Sequence, residues 1–208
     1  MLIYLKLKEF YNFKQLDVFS LYLFGVICKE VNQLAEARAV LKQTLNSFPY
    51  LWSAWLELLS ISKTNDMTDL FRDLDNHWMK YFFKASFFSE KDHEPDAIEL
   101  CNALLIKFPN SVFLIDTIAH SYYCLQGMCI GLISQLEYDL SQENFEKLII
   151  IDPYRLENMD TFSNILFIKE NFSELVNLAY KCHEIDKYRP ETSCIIGNYY
   201  SLKSNNSF

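Results

Sequence analysis

Six side chains in the second half of this sequence could grip a positively charged group: Asp116, Glu157, Asp160, Asn164, Glu191 and Asn198, with His120 one helical turn beyond Asp116. Carboxylate and carboxamide oxygens accept hydrogen bonds, and a guanidinium presents five donors in a planar fork, so such a ladder suits an arginine. Each charge-assisted bond contributes roughly 1.5 to 3 kcal/mol once water is displaced. The plainer reading is that acidic and amide residues on helix faces are solvated, with Asp160 and Glu191 merely favouring a helix N-terminal turn. The two readings part on whether the helices turn these groups toward one wall.

Other chemistry has no residues to carry it. No Gly-rich phosphate loop, HExxH or nucleophile elbow occurs, and four glycines could hardly build the first. The sequence therefore does not read as an enzyme, and no cofactor or metal is expected. His77, His93, His120 and His183 are scattered, and His77 beside Trp78 reads as a packed or capping residue. Cys182 and His183 are neighbours, but adjacent helical residues point about 100° apart and share a proton poorly. The six cysteines include no CxxC pair and read as buried, reduced thiols. A net charge of −8 and a pI near 5.0 argue against a nucleic-acid partner, whose binding needs clustered Lys and Arg, and favour basic peptides or proteins. The longest early apolar stretch, 18–28, has eleven residues. A spanning helix needs about 20, so no membrane partner is expected.

The elements that must position these residues are helices. Half of the 208 residues are hydrophobic, while only four Gly and five Pro supply turns, too few for many tight hairpins. Pro49, Pro109 and Pro153 each follow an amphipathic run and sit twelve positions after a small residue, Ala37, Ala97 and Ser141. That is the spacing of the tetratricopeptide unit, a helix-turn-helix of about 34 residues in which small residues let the paired helices approach and Pro closes the unit. In the clearest copy Leu21, Phe24 and Gly25 pack the first helix and Ala37 and Leu41 the second, with Gly25 at the closest approach. A second unit opens on Trp52 and Trp55; a third runs through Trp78, Ala85 and Ala97 with 93–95 as its turn; a fourth uses Ile115, Ile118 and Ala119. A last unit opens at Pro190 and carries the apolar stripe Ile195, Ile196, Tyr199 and Tyr200.

The expected architecture is an all-α tetratricopeptide solenoid. Its parts are a helical remnant at 1–17, an array at 18–203 and a disordered tail at 204–208. The array divides into 18–51, a degenerate 52–77, 78–111, 112–155 with an insertion near 126–136, 156–189 and a half unit at 190–203. A stripe without a following helix and a first segment that fits no full unit lead us to expect a chain truncated at both ends. In such a stack the first helix of each pair lines the inner wall, so the six candidate residues would form rungs across it.

With that register in place, LYLFGVICKE (21–30), WSAWLELLSI (52–61), NHWMKYFF (76–83), DPYRLENMDTFSNILFIKE (152–170) and DKYRPETSCIIGNYYSLK (186–203) together resemble the subunit 8 family of the anaphase-promoting complex, or cyclosome. The last two blocks are the specific ones, since generic repeats keep only sparse small and apolar positions. The resemblance implies a non-catalytic scaffold of a multisubunit ubiquitin ligase acting in mitosis, found in nucleus and cytoplasm. Its implied partners are the other subunits of that complex and a coactivator bearing a basic, arginine-containing motif. It also implies a homodimer, if further N-terminal repeats are present. The rival expectation is a stand-alone co-chaperone that grips C-terminal carboxylates, which would need Lys, Arg and Asn along the wall.

Overall fold

A computed structural model describes residues 2–62, 67–128 and 132–205. Among these every regular element is an α-helix, and the chain divides into two compact units, Met1–Phe87 and Phe88–Phe208. The fold class is the all-α, tetratricopeptide-like helix-pair repeat that the register implies.

The first unit holds α1 (Leu2–Asn12), α2 (Val18–Glu30), α3 (Leu34–Ser47), α4 (Trp52–Ser60), the short α5 (Met67–Arg72) and most of α6 (Trp78–Glu90). Along it α1 packs on α2, α2 on α3 and α3 on α4. The reasons are local. Asp17 caps α2, its carboxylate accepting the Ser20 N–H at 3.2 Å. Phe24 is fully buried, with the Tyr4 and Tyr11 ring centroids 6.0 and 5.1 Å away, and burial of such a side chain stabilises by roughly 1.5 to 3 kcal/mol. Gly25 meets α3: a Cβ built there would lie 2.9 Å from Cγ and Cδ2 of the buried Leu41. Trp55 is the buried plug of α4, and its indole N–H donates to the Pro49 carbonyl at 2.7 Å. His77 does cap, its Nδ1 accepting the Met79 N–H at 3.2 Å while its ring meets Tyr50 edge-on.

The second unit holds the end of α6, α7 (Glu94–Leu105), α8 (Val112–Met128), α9 (Leu132–Ile151), α10 (Met159–Ile168), α11 (Phe172–Ile185) and α12 (Pro190–Asn205). Here α7 packs on α8, α8 on α9, and α10 lies against both α11 and α12. The small residues of the register, Ala37, Ala97 and Ser141, are fully buried on α3, α7 and α9, each the later helix of a pair. Ser141 does more than fit, since its hydroxyl donates to the Ala119 carbonyl of α8 at 2.7 Å. Phe145 stacks on Phe162 at 5.3 Å and ties α9 to α10.

Four turns repeat one device. After α1, α2, α6 and α10 a non-glycine residue takes the left-handed conformation: Lys14, Asn32, Asp92 and Glu170, with φ between 53° and 60°. In each, the next N–H closes back onto a carbonyl five residues earlier: Gln15 to Phe10, Gln33 to Cys28, His93 to Phe88 and Asn171 to Leu166, at 2.8 to 3.0 Å. These bonds have the pattern of a Schellman C-cap, which satisfies the orphan carbonyls of a helix end.

Several boundaries differ from those expected. The turn at 93–95 is shorter, because Glu94 and Pro95 already form the first turn of α7, where a proline without an N–H costs nothing. Helix α12 continues through Asn205, so the expected tail at 204–208 opens in helix; residues 206–208 lie outside the described ones. Around the expected insertion near 126–136, α8 reaches Met128 and α9 starts at Leu132, making helices of 17 and 20 residues against 13 and 14 for α2 and α3. Residues 129–131 lie outside the described ones, as do 63–66 in the degenerate 52–77.

Candidate peptide-binding groove

The expected rungs sit on α8, α10 and α12 with one exception, and they do not all do the same thing. Asp116 is on α8 and Asp160 and Asn164 on α10, while Glu191 and Asn198 are on α12. Glu157 is the exception. It stands in the turn before α10, because Asn158 takes a left-handed φ of 62° as the residue that starts the helix.

Asn164 and Asn198 meet. The Asn198 Nδ2 donates to Asn164 Oδ1 at 2.8 Å and to Ser163 Oγ at 2.8 Å, joining α10 to α12. That leaves the Asn198 carbonyl oxygen and the Asn164 amide N–H for a ligand. One acceptor beside one donor matches the N–H and C=O of an extended peptide backbone better than it matches a guanidinium, which only donates. Asp160 is half-buried in the first turn of α10, where the helix dipole favours a carboxylate.

The carboxylates at the wall's two ends already hold cations of this chain. Arg155 Nη2 lies 3.0 Å from Asp116 Oδ2 and 3.3 Å from Glu157 Oε2. Asn158 Nδ2 adds bonds of 3.0 and 2.9 Å to both Asp116 oxygens. Arg189 approaches Glu191 at 3.3 Å through Nε and 3.4 Å through Nη2. Burial pushes the Asp116 carboxyl above its ordinary value of 3.8, outweighing the opposing pulls of the Asn158 hydrogen bond and the Arg155 charge. His120 lies a turn further on α8, its Nε2 3.4 Å from Cys124 Sγ and its Nδ1 buried without a protein partner.

The sequence reading missed Arg155, Asn158 and Arg189. Their signal is a motif repeated at 34 residues: Asp152-Pro-Tyr154-Arg155-Leu-Glu157 and Asp186-Lys-Tyr188-Arg189-Pro-Glu191. In both copies the tyrosine stands out in solvent and the arginine reaches the glutamate two positions on. Both turns line one depression of about 490 Å³, with Arg155 and Arg189 on its wall.

Charge is divided unevenly along the chain. Residues 1–87 carry ten Lys and Arg against nine Asp and Glu, whereas 88–208 carry nine against eighteen. The thiols are mostly sealed: burial pushes Cys101 up to about 12 and Cys28 and Cys182 up to about 11. Two depart from the buried expectation, Cys124 being half-buried on α8 and Cys194 exposed on α12, and Cys129 lies outside the described residues. Among the described residues no group of three metal-ligating side chains converges, and no helix is long and apolar enough to cross a membrane.

Comparison with known proteins gives the groove a context. Residues 2–119 match the family model described as anaphase promoting complex subunit 8 / Cdc23. The chain is 40% identical over 188 residues to anaphase-promoting complex subunit 8 of Arabidopsis thaliana, covering 90% of this chain and 31% of that protein. It is 38% identical over 194 residues to the protein of the same name from Dictyostelium discoideum, covering 92% of this chain and 31% of that protein. It is 32% identical over 202 residues to anaphase-promoting complex subunit CDC23 of Saccharomyces cerevisiae, covering 88% of this chain and 31% of that protein. The chain therefore spans 31% of the length of each of these curated relatives.

Proposed function

The chain belongs to the subunit 8 / Cdc23 family of the anaphase-promoting complex, and on that premise we propose that it works as a non-catalytic helix-repeat scaffold of this ubiquitin ligase in mitotic cells. It contributes a wall for assembly with the other subunits and a docking groove for a coactivator segment that carries an arginine. The observation that carries the docking reading is the Asn164–Asn198 pair flanked by Asp160 and Glu191 in a unit with twice as many acidic as basic residues. The amides take the backbone of an extended segment, and Asp116, Glu157, Asp160 and Glu191 supply the acceptors for its guanidinium. A co-chaperone's carboxylate-gripping wall would need the opposite charge, and the acidic excess of 88–208 speaks against it.

Two measurements test the reading. Affinity purification of the tagged full-length protein from its own cells, followed by mass spectrometry, should recover other subunits of the complex; recovery of chaperones without such subunits refutes the scaffold role. Titration of the 208-residue chain with a labelled arginine-bearing peptide should give an affinity that Asn164→Ala and Glu191→Ala each lower by about tenfold, the loss of one charge-assisted or well-desolvated hydrogen bond. Unchanged affinity in both variants refutes the groove.

A further inference from the structure

We propose that Arg155 and Arg189 are resident occupants of the groove's acidic acceptors, so that a partner's arginine enters by exchanging with a guanidinium of this chain. The inference rests on the docking role above and says how that site is regulated.

Four observations carry it. First, the residents sit where the visitor would: Arg155 bridges Asp116 and Glu157 at 3.0 and 3.3 Å, and Arg189 reaches Glu191 at 3.3 Å. Second, the fit is incomplete. The Nε atoms of Arg155 and Arg189 and Glu191 Oε2 are buried yet make no aligned hydrogen bond to protein, although Arg189 Nε and that oxygen are in ion-pair range. A buried polar group left unsatisfied is destabilising, so each resident holds its site with part of its donor set idle. Third, both arginines stand in turns between helices, and either guanidinium can leave its carboxylate by side-chain rotation while the backbone stays in place, the Arg189 carbonyl still accepting the Ser193 N–H that opens α12. Fourth, the arrangement recurs at 34 residues with the same Asp, Tyr, Arg and Glu, and both copies face the same open depression. A single surface ion pair would be unremarkable; two at corresponding positions of successive repeats form a device.

A tethered competitor weakens a visitor without touching it. The apparent dissociation constant is the intrinsic one divided by the fraction of time the acceptors are empty. A resident that fills its site nine-tenths of the time imposes a tenfold penalty.

The test titrates the 208-residue chain with a synthetic peptide bearing one arginine, and with its citrulline counterpart. The chain is compared as wild type, Arg155→Met/Arg189→Met, Arg155→Lys/Arg189→Lys and the control Lys107→Met/Lys147→Met, which removes two exposed cations of the same unit. Arginine side-chain ¹⁵Nε resonances are followed in the wild type. The Met pair should bind the arginine peptide about tenfold more tightly than wild type. The control should change affinity less than about twofold, as expected for screened surface charges. The Lys pair, which keeps the charge but loses the fork, should fall between them and covers the case of a Met pair that does not fold. On wild-type binding, the Arg155 and Arg189 resonances should move to the position of a solvated guanidinium. Binding by the wild type that leaves those resonances in place, or a control that gains as much as the Met and Lys pairs, overturns the exchange while leaving the groove intact. No binding by the wild type or by the resident-free variants overturns both the exchange and the docking reading.

Discussion

Gly25 and Gly197 lie in helices of one chain and should answer substitution in opposite ways. At Gly25 the built Cβ comes within 2.9 Å of the buried Leu41, whereas at Gly197 nothing lies within 4 Å. Gly25→Leu should therefore lower stability by about 1 to 3 kcal/mol through overpacking. Gly197→Ala should raise it by up to about 1 kcal/mol, the helix propensity regained where no contact is at stake. Denaturant melts of both variants check this, and a Gly25→Leu chain as stable as wild type would mean that the α2–α3 contact is wrong. Asp116 makes a prediction of a different kind. Because burial raises its carboxyl above 3.8, the folded chain keeps that proton to higher pH than the unfolded chain. The stability it contributes is thus fully present below the ordinary value and is lost as pH rises through the raised one. The melting temperature of wild type minus that of Asp116→Asn should fall as pH climbs above the ordinary value of 3.8. A difference that stays flat or grows would show that the Arg155 pair, and not burial, governs the group.

At the scale of the element, the four left-handed turns are the best place to intervene. A residue without glycine's freedom costs about 1 to 2 kcal/mol in that conformation, borne in full by Glu170 and Lys14 and in smaller part by Asn32 and Asp92, whose types tolerate it. Glu170→Gly should raise the melting temperature, by about 0.5 to 1 kcal/mol of stability after glycine's extra unfolded-state entropy is counted. A loss of stability would show that the Glu170 side chain has a role beyond the turn. These turns also explain what the sequence concealed. The helix pairs were legible because Ala37, Ala97 and Ser141 must be small to be buried against a neighbouring helix. The turns were only partly legible: Asn32 and Asp92 are types that tolerate the left-handed region, but at the other two turns that position falls to Lys14 and Glu170, which give no local sign. The groove was half legible for a similar reason. Asn164 and Asn198 face each other because a helical offset repeats faithfully between α10 and α12. Glu157 left its expected helix because Asn158 starts that helix one turn later than periodicity suggested, and Arg155 finds Asp116 from 39 positions away, a pairing no local pattern encodes.

At the scale of the whole molecule the charge division matters most. With eighteen acidic residues against nine basic ones, 88–208 repels itself, while 1–87 is nearly balanced. The Debye length shrinks from about 10 Å at 0.1 M salt to about 3 Å at 1 M, so added salt should relieve the strain in 88–208. Amide hydrogen exchange in sodium chloride should show protection rising with salt in α9, α10 and α11 and staying level in α2 and α3. Equal gains in both units would point to a general salting effect.

The same imbalance governs what happens before any contact forms. A cationic partner diffusing nearby is drawn by the field of 88–208 and feels almost none from 1–87, so capture is fast in dilute buffer and slows steeply as ions are added. Turnover of the segment proposed to dock there would be set instead by short-range events at the wall. On the proposed docking, the speed of capture and the lifetime of the bound state belong to different features of this chain and can be altered independently.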